Sequence, residues 1–295
     1  MTAPTASTPG VISTTESSFG VTTQSARSNS ANAVPGFQAT QQSEWTKLRS
    51  VRSTWIIVSL AIGLSIAFSA VIALVTGLTF DSWGSDGQAA FDPVLTPMSG
   101  WLFGIVLLTV LSVTSVTSEY SSRMIRTTFI VKPRRMQVFA AKASVVAMFG
   151  LAISVITTLG MFLISQPIYR YYGLATAGIT DSAAIRLLIV TVLGQGLIYT
   201  LVPFSFAWLL RGTASAITVS IGFLFLPWTL GAIVPAWVQH NLLRYLPDMA
   251  ANSLSGLTKT DATTYLSQTP AIIVIAIWLA AMPLLAAVIL NRRDV

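Results

Sequence analysis

With 295 residues, 53% hydrophobic and only 9% charged, and a mean hydropathy of +0.72, the chain is too poor in charge for a soluble domain, which carries about 25%. The absence of cysteine and the single histidine, His240, exclude disulfides, thiolate metal sites and multi-histidine metal sites. The net charge of +7 is scattered over segment ends, so it does not read as a nucleic-acid surface, and no nucleic-acid partner is expected.

Residues 1–40 are rich in Ser, Thr, Ala, Pro and Gly and hold only Glu16 and Arg27 as charges. Such a segment cannot bury enough apolar surface to order itself, and it reads as a disordered cytoplasmic tail without the apolar core of a cleavable leader. Residues 41–53, QQSEWTKLRSVRS, differ in kind. Trp45, Leu48 and Val51 or Arg52 recur at helical spacing, with Glu44, Lys47 and Arg49 around them. One reading is an amphipathic helix along the inner leaflet, with Trp45 at headgroup depth and Lys47, Arg49 and Arg52 facing anionic lipid or protein. The other is an ordinary basic flank before the first span.

Six charge-free runs follow, at 53–80, 93–118, 143–169, 187–210, 212–239 and 262–291. Each exceeds the roughly 20 apolar residues that cross a bilayer as a helix. Residues 54–295 are therefore read as an all-α, six-span membrane domain. The spans fall at about 54–78, 97–117, 143–164, 184–210, 213–233 and 270–290. In the first, Ser65, Ser69, Ala73 and Gly77 form a small-residue seam for close helix packing, and Gly150, Ser154 and Thr158 form another in the third. Arg211 and Gly212 alone separate spans four and five, which makes a tight hairpin. Pro203, Pro227 and Pro283 read mainly as kinks that shape the bundle. Residues 234–269 are too polar to span and too apolar for a plain loop. They read as short re-entrant or interfacial helices broken at Pro247.

Charge placement sets the orientation. All 17 lysines and arginines except Arg170, Arg186, Arg244 and Lys259 fall on the side of the termini, while Asp81, Asp86, Asp92, Asp181, Asp248 and Asp261 fall on the other. The positive-inside rule then puts both termini in the cytoplasm of a multi-pass plasma-membrane protein.

Between spans two and three lies the most organised polar stretch, SEYSSRMIRTTFIVKPRRMQVFAAK, residues 118–142. Positive-inside topology explains its bases. It does not explain Glu119, the Ser/Thr-rich turn or the break at Pro133. No Gly-Lys pair occurs, so there is no P-loop for ATP. No catalytic set can be assembled either, and the chain is expected to be a non-enzyme that binds no cofactor itself. The span centres lack Asp, Glu, Lys and Arg, the groups that ion-coupled carriers keep at a cost in lipid. Thr109, Ser112, Thr114, Gln195 and Ser205 are left as polar atoms that could line a substrate path, although hydrogen bonding between helices accounts for most such groups.

Three stretches together resemble the permease subunits of type-2 ATP-binding-cassette (ABC) exporters. They are Glu44 to Trp55; Ser118 to Ser122 with Met124 to Thr128, then Pro133, Arg134, Arg135, Ala141 and Lys142; and Leu246-Pro247 with Ala250 and Ala251. The resemblance covers about residues 40–295. It implies two permease copies, identical or paralogous, over two separate P-loop ATPase subunits that hold ATP and Mg. It also implies a coupling helix around Glu119 to Arg135, with Glu119, Arg123, Arg126, Arg134 and Arg135 at the ATPase contact. Arg123 departs from the family, where Gly is expected. Glu119 is expected to pair with Arg123, Arg126 or a base on the ATPase. Two other readings are a non-transporting docking or sensing protein and an autonomous secondary carrier.

Overall fold

Helix α1, Phe37–Ser50, opens the computed structural model, which describes residues 36–122, 135–231 and 233–292. It begins four residues before the expected boundary, so the end of the supposed tail belongs to the helix. Val51 is extended and makes the elbow into α2, Arg52–Thr79. There the Trp55 indole N–H donates to the Arg49 carbonyl at 2.9 Å, satisfying one of the carbonyls that a helix end leaves open.

Short α3, Ser85–Ala89, and a 3-10 turn, Thr96–Gly100, lead into α4, Trp101–Ser121. Then come α5, Arg135–Tyr171, and α6, Ser182–Leu210. Next are α7, Thr213–Leu230, and the short α8, Ala236–Asn241, and α9, Pro247–Ser255. Last is α10, Gln268–Arg292. The described residues contain no strand. Six helices are long and apolar enough to cross a membrane: α2 with the turn after it, α4 with the turn before it, α5, α6, α7 and α10.

Spans α5 and α6 begin before their charge-free runs, whereas α7 stops at Leu230, short of the end of its run. α5 starts at Arg135 rather than 143, because its first two turns pack against protein and its Lys142 is paired there. α6 is central: 67% of its most apolar window is buried, against 22% in α7 and 28% in α2 and α10. The outer helices turn Ile56, Leu60, Leu64, Ile272, Ile277 and Leu284 outward, as lipid-facing helices do.

Both small-residue seams are used within this chain. Ser65, Ser69 and Ala73 are fully buried between α2 and its neighbours. A Cβ on Gly77 would come within 2.3 Å of the Tyr172 ring. In the second seam, a Cβ on Gly150 would lie 2.1 Å from Thr200 Oγ1, so α5 and α6 touch nearly backbone to backbone. Such approach lets dispersion do the work that the hydrophobic effect does in water.

Arg211, at φ 58°, makes the left-handed turn between α6 and α7, and its guanidinium lies over the Tyr120 ring. The same end of the bundle is closed by Tyr120, Phe139, Phe204 and Trp208, whose rings meet at 5.3–6.2 Å. At the opposite end α9 is packed inside the protein: Pro247 to Ser253 are all buried. Pro247 opens this helix, where a missing N–H costs nothing. α8, by contrast, buries none of its residues and stays at the surface.

Candidate functional site

Two polar constellations stand out, one at each end of the bundle. The first joins α1 to the two helices that bracket residues 123–134. Lys142 Nζ lies 2.6 Å from Glu44 Oε2 and 2.9 Å from Glu119 Oε1. Lys47 Nζ reaches Glu44 Oε1 at 2.7 Å and Glu119 Oε1 at 2.9 Å. Two acids and two bases thus balance within one knot. Glu44, Glu119 and Lys142 are buried, and Lys47 forms the partly exposed rim. Lys142 also donates to the Ser115 carbonyl at 3.3 Å. A cavity of about 460 Å³ adjoins the knot, under the α1–α2 elbow.

The docked edge of α1 is therefore polar. Thr40 and Glu44 are its buried residues. Gln41 donates to Ser144 at 3.1 Å, and Gln137 donates to Thr40 at 3.3 Å. Trp45, expected at headgroup depth, lays its half-exposed ring against Phe149 at 4.8 Å. Of the bases expected to face anionic lipid or protein, Lys47 is turned into the protein, whereas Arg49 and Arg52 remain exposed. Lys47 and Lys142 are the partners of Glu119 among the described residues, and its expected pairing with Arg123 or Arg126 falls on residues outside them. Arg123, Arg126, Pro133 and Arg134 lie outside the described residues. Arg135 starts α5, partly exposed.

The knot gives α1 docking a pH dependence of known sign. Burial pushes the Glu44 carboxyl up, but Lys142 and Lys47 outweigh it and hold it below the usual carboxylate range. Burial likewise lowers Lys47, but Glu44 and Glu119 outweigh that and hold it above its ordinary value. Stability from Glu44 is thus fully present above its unfolded pKa, about 4.3, and is lost as pH falls through its lower folded value. Stability from Lys47 is present below about pH 10 and is lost at higher pH. Melting of the purified chain should be flat across neutral pH and fall at both extremes, and Glu44→Gln should flatten the acid limb.

The second constellation surrounds Asp248 on α9. Tyr199 Oη donates to Asp248 Oδ1. Trp228 Nε1 and Asn252 Nδ2 donate to Oδ2 at 2.8 and 3.0 Å. Gln195 in turn donates to Asn252 at 2.9 Å. Gln195 ends a π-helical segment of α6, Val190–Gln195, a local widening that often marks functional positions. These groups line a cavity of about 700 Å³ together with Trp101, Ile105, Thr191 and Phe225. Among the described residues no lysine or arginine lines it, and Asp92 is its other acid. Burial pushes the Asp248 carboxyl above its ordinary range, against the pull of its three donors.

The five expected path residues separate accordingly, with Thr114 donating to the Val110 carbonyl within its own helix at 2.7 Å. Gln195 lines the cavity. Ser112 donates to the Thr200 carbonyl across the α4–α6 contact. Ser205 donates to Leu201 within its own helix at 2.7 Å. Thr109 is buried away from the cavity, with no partner for its hydroxyl among the described residues. Asp248, Tyr199, Trp228 and Asn252 were not singled out from sequence. The only signal for them was Leu246-Pro247 just before Asp248.

A family model described as ABC-2 family transporter protein matches residues 41–231. No curated protein and no solved structure matches the chain.

Proposed function

The chain belongs to the ABC-2 transporter family, and from that premise we propose that it is the permease subunit of an ABC exporter. Separate nucleotide-binding subunits hold ATP and Mg, and their hydrolysis drives efflux across the plasma membrane through a pair of permeases. Both termini and residues 123–134 face the cytoplasm in this reading. The observation that carries it is the four-residue ion knot. It locks the end of α4, the start of α5 and α1 to one another. A force applied by an ATPase to residues 123–134 would therefore move three helices as one body instead of flexing a loop.

The test is reconstitution. The chain is placed in proteoliposomes together with a P-loop ATPase that co-purifies with it, and ATP hydrolysis is followed. Replacing residues 123–134 with a Gly-Ser linker of equal length should abolish the permease-dependent part of hydrolysis while folded yield is kept. Hydrolysis indifferent to the permease and to the linker would overturn the reading.

A second reading has one observation behind it. The span centres lack acids, but α9 carries Asp248 into the bundle, which restores the kind of group a proton-coupled carrier uses. Substrate movement driven by a pH gradient, in vesicles holding no ATPase, would favour that carrier over the exporter.

A further inference from the structure

The cavity at the end of the bundle opposite the termini has chemistry that selects a ligand. Asp248 is 2% exposed, and no lysine, arginine or histidine is paired with it among the described residues. Its three contacts are all neutral donors. Neutral donors can orient a carboxylate but cannot cancel its charge, and a buried charge without a counterion is costly. The rest of the lining is largely aromatic and aliphatic, with Trp101, Phe225 and Ile105. Trp101 also has an indole N–H that finds no acceptor among the described residues. Ring faces attract cations and repel anions. A cavity of about 700 Å³ falls within the usual range for small-molecule sites.

We propose that this cavity binds a monovalent organic cation with a bulky apolar body, its positive charge against Asp248 and its body against Trp101, Trp228 and Phe225. The ligand supplies the counterion that the protein leaves out. Trp228 serves twice, holding Asp248 through its N–H and offering its ring. Thr191 and Gln195, four residues apart on α6, reach the same cavity. The assignment rests on the export reading only in naming what would be carried, since binding itself needs no ATPase.

The purified full chain is tested with two ions of one shape and opposite charge, tetraphenylphosphonium and tetraphenylborate. Saturable binding of the phosphonium, and none of the borate, is expected. Asp248→Asn should weaken phosphonium binding about tenfold or more. Trp228→Phe, which keeps the ring and loses the N–H, should weaken it less. Should Asp248→Asn fail to fold, the unaltered chain still decides. Carbodiimide labelling of Asp248, read by mass spectrometry, should be blocked by the phosphonium and not by the borate. Equal binding of both ions, undiminished binding by a folded Asp248→Asn, or labelling that neither ion blocks would overturn the site. Phosphonium binding without ATP-dependent transport would leave the site standing and count against the exporter alone.

Discussion

Glu119→Lys is expected to remove most of the folded, monodisperse protein, and Glu119→Gln combined with Lys142→Gln to restore most of it. In the native knot two carboxylates face two ammoniums. Reversal leaves Glu44 alone against three bases, in a place where Glu44 is 1% and Lys142 3% exposed. Removing one partner of a buried pair costs about 3–5 kcal/mol, because the other charge is stranded, while removing both is often nearly neutral. The double replacement leaves Glu44 with Lys47, still a balanced pair at 2.7 Å. Thermal melting and size-exclusion profiles of the four members of the cycle give the coupling energy directly. A reversed variant as stable as the native chain, or a double variant no better than Glu119→Gln, would show that the knot is not structural. A Glu119 that only met the ATPase would, on reversal, uncouple hydrolysis from transport with insertion intact. The burial of Glu119 changes that expectation: damage to the fold comes first, and coupling is better tested in residues 123–134.

The knot shows what local sequence reasoning can and cannot reach. Glu119 stood out as the one acid in a basic stretch, and Glu44 and Lys47 sit three apart on one helix face. Nothing local says that Lys142, 23 residues after Glu119, closes the set. Composition sees Lys142 as a basic flank, whereas a helix start buried against α1 lets it sit inside the protein. The six spans were legible because lipid demands long charge-free runs. Their ends were less so, since a helix can continue past the lipid wherever protein receives its polar groups. Asp248 was assigned by span topology to the side opposite the termini. That is correct as to the end of the bundle and silent about burial, which comes from α9 folding back between α6, α7 and α10. The π segment, which holds the cavity-lining Thr191 and Gln195, carries no composition cue. Of the polar residues flagged as a path, Gln195 alone needed the fold to separate it from Ser112 and Ser205, whose acceptors are backbone carbonyls.

Two glycine-to-alanine changes should move stability in opposite directions. Gly63 lies on an exposed face of α2, and a Cβ there would meet nothing within 4 Å. Gly63→Ala should stabilise the helix by about 0.5–1 kcal/mol, through the chain entropy that glycine loses on folding. Gly100 ends the turn before α4, and a Cβ there would lie 2.2 Å from the Ser65 carbonyl oxygen and 2.9 Å from Met161 Sδ. The sulfur can swing aside, but a backbone oxygen in the middle of α2 moves only if the helix moves. Gly100→Ala must therefore push α2 and α4 apart, at an overpacking cost of about 1–3 kcal/mol. The displacement would reach the cavity as well, because Thr96, Met98, Ser99 and Trp101 beside Gly100 line it. Melting temperature should rise for Gly63→Ala and fall for Gly100→Ala, and tetraphenylphosphonium binding should weaken only in the second. A Gly100→Ala chain as stable as the native one, binding phosphonium equally well, would mean that the α2–α4 contact is looser than its 2.2 Å approach indicates.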